Sequence, residues 1–138
     1  MKRAVALIVV VLILLTCTST AFAATTSNHY IIRFGAMISS PSSGTVRVDF
    51  NVHGRDYMSS IGASSIVLYE NGSPVKTFSM YDPLYATDLY TTNTDIFYGH
   101  VTYPANSGST YSAVVSLFAS DGSGSGFETC ITGDVIIP

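Results

Sequence analysis

The chain has 138 residues, with 6 basic side chains against 9 acidic ones and a formal net charge of −3. That length leaves room for one domain core, and an acidic balance argues against nucleic acid or anionic lipid as partners, since both are held mainly by basic patches.

The first element is a leader. Met1, Lys2 and Arg3 form a basic tip, an apolar run follows from Ala4 to Leu15, and "TCTSTAFA" ends in the small-x-small pattern Ala21-Phe22-Ala23. These are the three parts of a secretory signal, and the pattern predicts cleavage after Ala23 or Ala24. The apolar run is shorter than the roughly 20 residues a membrane-spanning helix needs. Acylation at Cys17 is the weaker alternative, because Thr16 fits badly before a lipidated cysteine. Removing residues 1–23 leaves residues 24–138 as one secreted domain with four basic residues against 9 acidic, a net charge of about −5. Cys130 is then the only cysteine. It is expected as a small apolar side chain packed in a strand rather than as an intermolecular disulfide.

Beyond the leader, apolar residues alternate with period two and nowhere recur at helical spacing. "HYIIRFGAMIS" opens the series. In "TVRVDFNVH", Val46, Val48, Phe50 and Val52 point one way and Arg47, Asp49, Asn51 and His53 the other, which predicts a strand with one buried face. "SSIVLYENGSPVKTF" predicts paired strands over Ile66 to Tyr69 and Val75 to Phe78, joined at Asn71-Gly72, two residues that accept the positive φ of a tight hairpin. The stretch from Ser79 to Thr94 lacks a clean period and reads as a long loop or irregular edge strand. Strands are expected at Asp95 to Tyr103 and Thr110 to Ala119, separated by "PANSGS", and a last one runs through "FETCITGDVII". About seven strands at such spacings predict an all-β sandwich.

"DGSGSG", with Gly122, Gly124 and Gly126, superficially resembles a phosphate-binding loop. Such a loop needs a helix after its glycines to aim amide groups at the phosphate. Here a strand follows, so the segment is expected to be a hairpin turn.

The Asn-Gly hairpin and "NSGSTYSAVVSLFASDGSGSGF" resemble the second half of fibronectin type III and related immunoglobulin-like domains. In those, a glycine turn leads to a tyrosine opening strand F, followed by alternate core residues. Tyr111, Ala113, Val115 and Leu117 fall on that pattern. The resemblance implies that Tyr111 is a tyrosine corner, its hydroxyl bonded back to nearby backbone, and that the turn after Ala119 is the F–G loop. The chain has no tryptophan, so Phe50 or Tyr69 must fill the volume of the usual core tryptophan. The whole chain also looks like a group of small secreted bacterial proteins that carry one such domain and no assigned function. That likeness implies a stand-alone module and supplies no catalytic residue.

The densest chemistry lies in "SMYDPLYATDLYTTNTDIFYGHVTY". Asp82, Asp88 and Asp95 are of a type that binds calcium, though their spacing matches no calcium loop and aspartates are ordinary in turns. Tyr81, Tyr85, Tyr90, Tyr98 and Tyr103 could stack on sugars. His29, His53 and His100 are scattered and form no catalytic spacing, and nothing in the sequence joins Glu70 to Glu128. The expectation is therefore a binding or adhesion-type module, not an enzyme, without cofactor or metal. Its partner would be a protein or cell-surface component, possible self-association included. Tyr81, Tyr85, Asp88 and Tyr90 are the expected binding residues, because their loop is long, aromatic and poorly explained by core packing. A carbohydrate-binding module using the same tyrosines is the alternative. The ending "GDVIIP" carries no sorting signal, so no covalent anchoring is expected.

Overall fold

A computed structural model describes residues 28–138; the expected leader over 1–23 and Cys17 lie outside the described residues. Period-two alternation translates directly into burial along β2 (Thr45–Met58), where Val46, Val48, Phe50 and Val52 are buried and the residues between them are half-buried. β2 pairs antiparallel with β1 (Ile31–Ser42) on one side and β6 (Thr94–Pro104) on the other. A second sheet has the order β4-β3-β7-β8, formed by β3 (Ser60–Glu70), β4 (Ser73–Ser79), β7 (Thr110–Ser120) and β8 (Ser125–Ile131). Two-residue strands add to this sheet: β5 (Tyr90–Thr91) pairs with β3, and β9 (Val135–Ile136) pairs with β7. The protein is thus an all-β sandwich of two antiparallel sheets.

Among the described residues, nine strands replace the expected seven or so, for local reasons. In the last segment the Thr132 hydroxyl accepts a hydrogen bond from the Ala113 N–H at 2.8 Å, while the Thr132 N–H donates to the Ala113 carbonyl at 2.9 Å. A side chain has taken a ladder position, and the strand breaks there into β8 and β9. The stretch from Ser79 to Thr94 is ordered by one turn of helix, α1 (Ala86–Leu89), followed by β5. Leu89 is fully buried and anchors it.

The turns follow residue chemistry. Asn71 (φ 50°) and Gly72 (φ 83°) both occupy the left-handed region between the paired residues Glu70 and Ser73, the geometry of a two-residue hairpin loop matched to strand twist. "DGSGSG" joins β7 to β8 as a turn. The Asp121 carboxylate accepts hydrogen bonds from the backbone N–H groups of Ser123 (2.8 Å) and Gly124 (3.0 Å), so those amides are already occupied.

The core lies between the sheets, with Phe50, Ile66, Leu68, Phe78, Tyr111, Val115 and Leu117 among its members. A smaller cluster of Ile31, Val52, Met58, Ile61 and Ala119 closes one end. Phe50 is buried, its ring 5.9 Å from that of Phe97, whereas Tyr69 is half-buried on the opposite pleat from Leu68.

Candidate functional site

The segment from Ser79 to Thr94 turns on Asp82, whose carboxylate accepts the Leu84 N–H at 3.0 Å and whose carbonyl accepts the N–H groups of Tyr85 and Ala86. This projects Tyr81 (83% exposed) and Leu84 into solvent. Tyr85 turns inward instead: its ring meets Phe78 edge-on at 4.9 Å, and the Lys76 ammonium lies 5.2 Å from its centroid. Tyr90 is half-buried, its ring 6.4 Å from Phe118. Asp88 is exposed in the first turn of α1. Of the four expected binding residues, two therefore spend their rings on packing, and Tyr81 alone offers an open aromatic face.

Among the described residues, no group of three or more His, Cys, Asp or Glu side chains is placed to hold a metal ion. His53 and His100 share the outer face of the β1-β2-β6 sheet but stand opposite different neighbours, Ile96 and Asp49 respectively. His29 packs edge-on against Tyr30. The Glu128 carboxylate is engaged by the Asn28 amide at 3.0 Å, and Glu70 by the Asn106 amide at 2.9 Å. Cys130 is buried, and that burial, aided by the charge of Glu128, pushes its thiol pKa up to about 11. A thiol so far from ionisation is a poor nucleophile at neutral pH.

The larger feature is the outer face of the β4-β3-β7-β8 sheet. Register places Thr77, Val67, Val114 and Ile131 in one row across the strands and Ser79, Ser65, Ser116 and Thr129 in the next. Tyr69 and Ser112 flank them on one side, Phe118 and Phe127 on the other. None of these positions carries a charge. Phe127 is 66% exposed, Ile131 73% and Ile136, on β9, 68%. Single exposed apolar residues are ordinary, but here several share one uncharged sheet face and form an apolar patch.

Sequence reasoning passed over Phe127, Ile131 and Ile136. Alternation in "FETCITGDVII" does separate Phe127, Thr129 and Ile131 from Gly126, Glu128 and Cys130, but both sets contain apolar residues, so the pattern alone does not say which set faces out. Comparison with protein-family models, with curated proteins and with solved structures finds no match.

Proposed function

We propose that the chain is a secreted, single-domain binding module of adhesion type. Its sandwich is immunoglobulin-like, of the fibronectin type III kind, and it works by protein contact through the uncharged face of β4-β3-β7-β8. The strand order β1-β2-β6 against β4-β3-β7-β8, with Tyr111 buried at the start of β7 and its hydroxyl tied to the backbone five residues upstream, supports the fold assignment. The leader pattern of residues 1–23 supports export.

The observation that carries the function is the exposure of Phe127, Ile131 and Ile136 on a face without charges. A second copy of the chain is the partner that fits it. Copies with a net charge of about −5 after the leader repel one another, and an uncharged face lets them approach with least like-charge repulsion. Four strands at about 4.8 Å spacing cover a width of about 19 Å, and Phe127 and Ile136, which pair with Phe118 and Thr110 of β7, lie about 27 Å apart along the strands. That footprint, about 500 Å², falls below the roughly 800 Å² per partner of a standard interface and suits a weak, reversible association.

Sedimentation velocity of the purified product of the full sequence, over a range of concentrations, tests this. The expected result is a reversible dimer that Ile131→Glu converts to monomer without loss of the strand signal in circular dichroism. A monomer at every concentration removes the second copy as partner. The alternative, a carbohydrate module built on the loop tyrosines, draws support from Tyr81 and not from the packed rings of Tyr85 and Tyr90.

A further inference from the structure

On the opposite side of the sandwich, the β1-β2-β6 sheet turns its polar pleat outward. Register sets Gly35, Asn51 and Tyr98 side by side across the three strands, and Met37, Asp49 and His100 in the adjacent row. Where its neighbours carry side chains, Gly35 carries none, and a depression of about 470 Å³ opens over it, lined by these six residues together with Arg47. That volume lies within the roughly 300–1,000 Å³ of small-ligand sites.

The chemistry of the lining narrows the ligand. Tyr98 is 68% exposed and Met37 60%, one on each flank of the depression, and the edge-on contact of Tyr98 with His53 at 5.9 Å steadies the ring without covering it. Arg47 grips Asp49 in a forked ion pair, with Nε 2.8 Å from Oδ1 and 3.0 Å from Oδ2. The pair is internally neutral, so the depression offers no net charge to attract an ion, yet the guanidinium retains N–H donors and the carboxylate retains lone pairs. Asn51 adds an amide that both donates and accepts, and His100 adds an imidazole. Planar groups with adjacent donors and acceptors suit vicinal hydroxyls, and a tyrosine face suits the C–H surface of a sugar ring.

From this arrangement we propose a binding site for a neutral saccharide on the outer face of β1-β2-β6, with Tyr98 as the stacking platform and Asn51, His100 and the Arg47–Asp49 pair as hydrogen-bonding groups. The site is separate from the loop tyrosines and from the uncharged face of the other sheet. It places a glycan contact and a protein contact on opposite sides of one module.

Gly35 provides a test that spares the fold. It lies within β1, and a Cβ added to it would sit 3.5 Å from the Asn51 amide nitrogen, an ordinary contact. Gly35→Leu therefore fills the depression from its floor. The purified product of the full sequence is titrated by isothermal calorimetry and ligand-observed NMR with neutral tetrasaccharides of glucose, N-acetylglucosamine and mannose, and with a uronic-acid tetrasaccharide as the charged comparison. At least one neutral saccharide is expected to bind, with affinity reduced about tenfold or more by Gly35→Leu and by Tyr98→Ala. Both variants should keep the wild-type melting profile and the wild-type sedimentation behaviour. Absence of binding by every neutral saccharide at about 10 mM, a concentration that reveals even millimolar affinity, overturns the proposal. So does binding that survives both substitutions, or a preference for the charged saccharide.

Discussion

The backbone N–H of Asn106 donates a hydrogen bond to the hydroxyl of Tyr111 at 3.0 Å. Tyr111 is fully buried, so the bond pins the turn before β7 to the edge of the core while burial pushes the phenol pKa up. The Asn106 side chain in turn donates to Glu70 beside the β3–β4 hairpin. One tyrosine thus ties the turn before β7 to the core, and Asn106 ties that turn to the hairpin.

Tyr111→Phe keeps the ring and deletes only the hydroxyl. The expected cost is about 1–2 kcal/mol, the worth of one well-made buried hydrogen bond together with the amide it leaves unpaired. Urea denaturation of the two proteins should show it as a lower midpoint at unchanged slope.

Tyr81 and Tyr85 should part company on truncation. Tyr85→Ala removes the edge-on contact with Phe78 and the ring beside Lys76, and should cost about 1–2 kcal/mol. Tyr81→Ala removes a ring that already stands in solvent and should shift stability by less than about 0.5 kcal/mol. Thermal melts that rank the two in the opposite order would contradict the packing described for this segment.

Gly62 faces the backbone of the segment that carries α1 and β5. A Cβ there would overlap the Leu89 carbonyl oxygen and the Tyr90 Cα. Backbone atoms cannot swing aside as a flexible side chain can, so Gly62→Ala should cost about 2 kcal/mol or more and loosen β5. Faster amide exchange at Tyr90 and Thr91 is the expected local sign.

Acid should weaken the fold through two carboxyls. Glu70 is held below the usual carboxylate range, first by the Asn106 amide and then by Ser109 and Tyr111; Asp121 is held below it, first by the Ser123 hydroxyl and then by the Ser123 and Gly124 amides. A folded value below the unfolded one means that the stabilisation is complete above the unfolded value and is lost as pH falls through the folded one. Stability set by these groups should be level from about pH 7 to about pH 5 and decline below about pH 4. Asp121 is exposed and Glu70 only half-buried, so water screens both and the decline is shallow, and Glu70→Gln with Asp121→Asn should flatten it further in melts taken across that range.

Cys130 should resist alkylation by iodoacetamide at pH 8 in the native protein and react promptly in denaturant, since burial both covers the thiol and keeps it protonated. A reducing agent should then leave the sedimentation profile unchanged.

Much of the architecture was legible because strand and turn signals are local. "TVRVDFNVH" alternates so strictly that its buried face could be named in advance, and Asn71-Gly72 announced its hairpin because only such residues tolerate two successive positive φ values cheaply. The likeness to immunoglobulin-like domains drew attention to Tyr111, and strand context showed that "DGSGSG" is a turn. Tertiary structure alone decided the surfaces. Tyr85 and Tyr90 look free in sequence and become packed because Phe78 and Phe118, on β4 and β7, are brought beneath them. Phe127 and Ile131 alternate with Cys130 and Gly126, and with apolar residues on both pleats only the register of β8 against β7, which sets Cys130 opposite the buried Val115, determines which side meets solvent. Gly35 and Tyr98 are far apart in the chain and become neighbours through β2, because pairing register is settled by burying Val48, Phe50 and Val101 together, a condition that no short stretch of sequence contains.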